Sequence, residues 1–405
     1  MTDLYLHGAE LLARFAALDA FLVKHQGLWR PRPFTSLVLP WEAEHPELAR
    51  WLRGRSLEQA EAAHNHPEQL EAPGIFSALA SCSASLSRVG ELPLTPLPAA
   101  TPRLNVDVPG RKWQQIEAFG SHLGFRQPVQ HWLDWCAGKG HLGRRLLQAD
   151  QRLTCFEHDP LLVRAGQALS DHHRLAVDHV EQDVLTRGPL LSPIHTPVAL
   201  HACGDLHVRL LQRASAVGCP SLAVAPCCYN RTTADIYSGL SLPAAASSLR
   251  LDRDDLGLPL SETVTAGARV RRQRDRSMAR RLGFDLWQRQ VRGVDEYLST
   301  PSLPVTWLEK PFEDYCRHLA SLKGLTCASA DWDALARAGE ARLAVVRNLE
   351  LVRNLFRRPL ELWLVLDRAL YLQERGYSVR VGTFCPYAMT PRNLMIAAET
   401  LSSCG

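Results

Sequence analysis

The sequence is poor in lysine: five of its 46 basic residues are Lys, against 41 Arg. Arginine bias together with abundant Ala and Leu reads as genomic base composition rather than as a functional mark. Charge of one sign is also missing. The 46 basic and 42 acidic residues leave a net charge of +4, which does not by itself argue for nucleic acid. No apolar run approaches the ~20 residues that span a bilayer. Met1-Thr2-Asp3-Leu4 lacks the positive start and apolar core of a signal peptide, so the reading is cytoplasmic, with no membrane partner. The 11 cysteines include no CxxC pair, which excludes a disulfide scaffold and reads as reduced thiols. Cys203, Cys227, Cys228 and His201 have the chemistry to meet at zinc, but the short ligand pairs of structural zinc sites are absent, and no metal is expected. With 46% hydrophobic content in 405 residues, disorder and fibrous repeats are excluded, and a sizeable core over two or three domains is expected.

Along the chain, residues 5–25 and 46–72 have helical character, giving a helical N-terminal region over 1–90. His64 and His66 read as surface loop histidines. Five prolines mark 91–110 as a linker or strap. Strands are expected over 130–136, 152–157, 177–182, 197–203 and 221–227, and helices over 111–123, 141–149, 160–170 and 205–216. That alternation predicts a parallel α/β sheet across 111–235. Residues 236–350 interrupt it as a helical insertion carrying seven Arg within 269–281. The pattern returns over 351–405 with a helix (358–375), a Gly376 cap, and strands 378–385 and 393–398 forming an antiparallel hairpin.

The sharpest motif is Asp134-Trp135-Cys136-Ala137-Gly138-Lys139-Gly140-His141-Leu142-Gly143. A strand runs into a glycine turn and then a helix, whose free N–H groups face a ligand. Gly138-x-Gly140-x-x-Gly143 also reads as a dinucleotide fingerprint, with Glu157 near the position of a ribose-binding acid. Asp134 argues against that nicotinamide reading. A carboxylate there repels a pyrophosphate and suits the cationic amino-acid part of S-adenosylmethionine. Glu157 and Asp183, at the next two strand ends, suit a ribose and an adenine amino group. Asp134, Cys136, Ala137, Gly138, Gly140, Glu157, His158, Asp183 and His201 are the candidate cofactor residues.

The fourth and fifth strand ends carry His201-Ala202-Cys203-Gly204-Asp205 and Pro226-Cys227-Cys228-Tyr229. Ligands of open α/β sheets bind beyond these carboxyl ends. His201, Asp205, Cys228 and Tyr229 are the candidate catalytic residues, with Asp205 first as acceptor-orienting group or base, or alternatively a helix N-cap. Lys112, Pro226, Cys227, Arg271 and Arg272 are candidates for substrate binding.

These motifs resemble those of the methyltransferase family that includes the methyltransferase-like 25 proteins and the methyltransferase domain of the glutathione-S-transferase C-terminal-domain-containing protein. The resemblance runs through Arg111–Glu117, Asp134–Gly143, His201–Leu206, Pro226–Tyr229 and Thr390–Leu394, covering about 111–235 and 358–398. A more distant similarity is to eukaryotic tRNA 2′-O-methyltransferases of the acceptor stem, whose Cys/His zinc finger has no counterpart here. The resemblance implies a class I, Rossmann-like, seven-stranded methyltransferase sheet and S-adenosylmethionine as cofactor. The expected activity is in-line methyl transfer to a macromolecule, RNA before a protein side chain; a non-catalytic binding protein of the same fold is the further alternative. The Asn/Asp-Pro-Pro-Tyr signature of exocyclic-amine methylation does not follow the fourth strand, which speaks against a base amine.

Overall fold

The computed structural model describes residues 5–186, 191–261 and 267–400; the Met1–Leu4 reading and Cys404 lie outside them. The chain forms two compact units. One holds Met1–Val23, Leu86–Ser261 and Arg358–Gly405, the other Lys24–Ser85 and Glu262–Arg357.

The first unit is built on eight strands: β1 (Leu6–His7), β2 (His131–Trp135), β3 (Arg152–Glu157), β4 (Val177–Glu181), β5 (His195–Cys203), β6 (Ser221–Cys227), β7 (Tyr377–Thr383) and β8 (Leu394–Thr400). Their order is β1-β7-β8-β6-β5-β2-β3-β4. β2 to β6 run parallel, and β8 lies antiparallel between β6 and β7. This is the class I methyltransferase arrangement with the expected C-terminal hairpin. Every residue of β2 and β6 is buried, as parallel strands covered on both faces require. The helices His141–Leu146, Pro160–His172 and Asp205–Val217 supply the crossovers.

The sheet has eight strands rather than seven, because Leu6–His7, expected as helix, pairs antiparallel with Val381 and Arg380. Gly8, at φ +53°, breaks the helical pattern, so that helix begins only at Ala9. The added strand covers the edge of β7. Residues 46–72 form two α-helices, Pro46–Arg53 and Leu57–Ala63, and a short 3-10 turn, Pro67–Gln69, because Gly54 ends the first and a Ser56–Gln59 capping box starts the second.

The second unit is helical. Its long helices Ala268–Arg292 and Trp332–Asn354 approach closely where a Cβ on Gly339 would lie 2.9 Å from Gly283 Cα. Beside that crossing Asp285, 1% exposed, accepts from Arg289 Nε (3.0 Å), Arg342 Nη1 (2.6 Å) and Gln288 Nε2 (2.9 Å). His64, expected at the surface, is 4% exposed, and its carbonyl accepts from Arg357.

Candidate functional site

The chain winds outward from β2 in one direction and from β5 in the other, so the switch point lies between these neighbours, where open α/β sheets bind ligands. The turn leaving β2 places Cys136, Gly138 and Gly140 at φ of +58°, +58° and +73°. Its glycines have different reasons to be glycine. A Cβ on Gly140 would meet His179 Cε1 at 2.7 Å and Cys155 Sγ at 3.0 Å, and one on Gly143 would meet Leu153 at 2.6 Å. A Cβ on Gly138 would meet nothing within 4 Å. Gly138 therefore faces open space, as a backbone presented to a ligand must.

Two carboxylates fasten the turn. Asp134 Oδ2 accepts from the Gly143 N–H (2.9 Å), and Glu157 Oε2 from the Gly138 N–H (2.9 Å). Glu157 Oε1 also accepts from the N–H groups of His158 (3.0 Å) and Asp159 (3.1 Å). Burial raises the Asp134 carboxyl to about 6, against the opposing pull of the Gly143 N–H and of Arg144 and Lys112. Cys136 is pushed up to about 12 by burial and then by Glu157, Asp134 and, further down, Asp183; it is a neutral thiol. Asp183 is exposed in the turn after β4, where Oδ1 accepts from the Leu185 N–H (2.9 Å). His158 is exposed, with Nδ1 3.2 Å from Glu157 Oε1. Ala137 donates its N–H to Phe156 O (2.9 Å), tying the turn to β3.

On the β5 side, His201 stands at φ +71°, and its Nε2 lies 2.8 Å from Gln115 Oε1. Desolvation, then the charge of Lys112, lowers its pKa. Gly204 has no alternative residue: a Cβ there would lie 1.9 Å from Arg231 O. Gly204, not Asp205, is the N-cap of Asp205–Val217. The Asp205 carboxylate holds the loop after β6 instead, Oδ2 accepting from the Thr233 N–H (2.9 Å) and hydroxyl (3.4 Å). The thiols of Cys203, Cys227 and Cys228 lie within 4.8 Å of one another.

Tyr229 is placed differently from its neighbours. It is 3% exposed, its hydroxyl donates to Pro226 O (3.3 Å), and the Arg368 guanidinium lies 5.0 Å from its ring centroid. Pro226 is buried within β6. Lys112 is exposed on the helix Gly110–Ser121, close enough to act on the charges of Asp134 and His201. Arg271 and Arg272 belong to the helical unit, where Arg271 Nε is 3.3 Å from Glu61 and Arg272 is exposed.

Three residues outside the sequence-derived set take part. Gln115 orients His201, Thr233 holds Asp205, and Arg392 adds positive charge beside Cys228 and His201. Gln115 left a signal: a polar side chain one turn before Phe119 on a helix whose apolar face is buried. Arg392 lies inside the Thr390–Leu394 motif of the resemblance, and Thr233 carried no signal.

Residues 111–235 match the model of a family described as a methyltransferase domain. That segment contains β2 to β6, the glycine turn and both strand-end clusters. No curated protein matches the chain. Among solved structures, the chain is similar to the 23S rRNA methyltransferase ErmE at 15% identity, over 58% of this chain and 97% of that one, with a TM-score of 0.24. The chain thus carries a methyltransferase domain on a class I sheet.

Proposed function

We propose that this protein transfers the methyl group of S-adenosylmethionine to an RNA acceptor. One observation carries the cofactor reading: a glycine turn opens at the switch point, Gly138 facing free space, with acids at the ends of β2, β3 and β4 around it. The donor set fits an adenosyl sulfonium. It offers carboxylates and backbone amides; Lys139 in the turn is exposed, and the Arg144 guanidinium is engaged by Lys139 O (2.6 Å).

S-adenosylmethionine supplies an electrophilic methyl group on a positively charged sulfur. The chain's part is binding and alignment. Asp134 provides negative charge for the amino group at the foot of the turn. Glu157 Oε1 already accepts from two N–H groups and Oε2 from one, so a lone pair on Oε2 is left for a ribose hydroxyl. Asp183 serves the adenine. On the acceptor side, both Thr233 contacts fall on Asp205 Oδ2, which leaves Oδ1 to take the acceptor's hydrogen. Gln115 fixes the ring of His201.

RNA is favoured because Arg269, Arg272 and Arg276 are exposed at i, i+3 and i+7, one face of a single helix. Other arginines of the run are engaged internally: Arg274 with Asp275 (3.1 Å), Arg280 with Trp307 O (2.9 Å) and Arg281 with Pro301 O (3.0 Å).

Calorimetry with S-adenosylmethionine tests the cofactor reading, and absence of binding by the folded protein would move the chain to the non-catalytic alternative. Binding of bulk tRNA across a salt series tests the acceptor. Affinity should fall steeply with salt, and Arg272→Gln should lower the slope of log affinity on log salt by about one. A flat profile would transfer the acceptor to a protein side chain.

A further inference from the structure

We propose that Cys203, Cys227 and Cys228 form a tris-thiolate site for a soft d10 cation, zinc being the natural occupant, with its fourth position open toward the crevice. The argument begins with register. Cys203 and Cys227 are paired residues on the parallel strands β5 and β6, so their side chains leave the same face. Their sulfurs are 3.7 Å apart. Tetrahedral zinc with Zn–S bonds of about 2.3 Å requires sulfurs about 3.8 Å apart, whereas a disulfide requires about 2 Å.

The third thiol arrives by an unusual backbone. Cys228 follows Cys227, and in a continued strand its side chain would leave by the opposite face. Instead it stands at φ +48°, a left-handed conformation that costs a non-glycine residue on the order of 1–2 kcal/mol. That turn brings its sulfur into the group, all three within 4.8 Å. Strain held in this way gathers at functional sites. The loop is fastened in place: the Gly204 N–H donates to Cys227 O (3.0 Å) and the Arg231 N–H to Cys228 O (2.9 Å). Three thiolates on a dipositive ion leave one negative charge, and Arg231 and Arg392 stand close enough to offset it.

Among the described residues, the atoms that lie within 4.8 Å of one another are these three sulfurs, and the ring nitrogens of His201 are not among them. Cys227 is buried, while Cys203 and Cys228 are half-buried. The vacant side of the triangle therefore looks outward, and a protein-held cation with an open position takes an exchangeable ligand, as closed structural sites do not. Binding releases the thiol protons to solvent.

The test uses the full, reduced chain. Titration with cadmium, read by the thiolate-to-metal ultraviolet band, should give one ion per chain. Cys203→Ser, Cys227→Ser and Cys228→Ser should each weaken it at least tenfold, and Cys82→Ser should change nothing. In the cobalt-loaded protein the visible spectrum should shift on adding a simple monothiol. If a serine variant does not fold, alkylation of the wild type replaces it: zinc should protect Cys203 and Cys228, as mapped on peptides. Failure to bind zinc at micromolar free concentration, or binding indifferent to Cys228→Ser, would overturn the site, and an unresponsive cobalt spectrum would overturn the open position. S-adenosylmethionine binding measured on the same samples keeps this result separate from the methyltransferase reading.

Discussion

The Gly138 N–H donates to Glu157 Oε2 across 2.9 Å, so the carboxylate that shapes the glycine turn is the same one proposed to hold the ribose. Removing it acts twice. Glu157→Ala should lower S-adenosylmethionine affinity tenfold or more, about 1.4 kcal/mol, by calorimetry. Glu157→Gln keeps an acceptor oxygen and should lose less. Equal affinity in all three proteins would remove Glu157 from the cofactor site.

Gly138 and Gly140 separate binding from folding. Both have positive φ, so alanine at either carries a strain on the order of 1–2 kcal/mol. At Gly138 the new methyl meets no protein atom, whereas at Gly140 it strikes His179 and Cys155. Gly138→Val should therefore abolish cofactor binding while the protein still melts cooperatively. Gly140→Val should lower the melting temperature by a larger amount. Thermal melts beside calorimetry check both, and the reverse ranking would contradict the open cradle.

The buried Asp134 makes stability depend on acid. Its folded value of about 6 lies above the ordinary carboxyl value of 3.8. The neutral form is favoured in the fold, so its contribution is fully present below about pH 4 and is lost as pH rises to about 6, on the order of 3 kcal/mol. Asp134→Asn should flatten that decline in a urea series at fixed pH values. Cofactor binding should run the other way, strengthening through about pH 6 as the carboxylate forms and meets the ammonium.

The strand and helix sequence of the sheet was readable where a parallel strand is a short buried run closed by a turn signal, as in β6; the C-terminal helix ends at Gln373, and Gly376, at φ +82°, turns the chain into β7 three residues later instead of capping it. What stayed hidden depends on pairing across long sequence distances. No spacing rule reveals that Cys203 and Cys227 share a register, or that Cys228 turns left-handed to join them. The arginine run looked free because its partner Glu61, which Arg271 meets at 3.3 Å, lies more than two hundred residues earlier. Leu6–His7 was absorbed into a helical pattern that one glycine interrupts.

The same blindness applied to Asp285, where the helical unit concentrates buried charge. Its carboxylate accepts from Arg289 and Arg342, whose side chains are 7% and 9% exposed. Truncation leaves two guanidinium groups with less compensation, and breaking such a buried pair costs about 3–5 kcal/mol. Asp285→Ala should lower the denaturation midpoint accordingly. Asp285→Asn keeps one acceptor oxygen and should fall between. Arg292 reaches Gln288 Oε1 (2.8 Å) from the rim of the same cluster and is more exposed, so Arg292→Ala should cost well under 1 kcal/mol. If Arg292→Ala destabilised as much as Asp285→Ala, the stability of the cluster would come from its rim rather than from its buried centre.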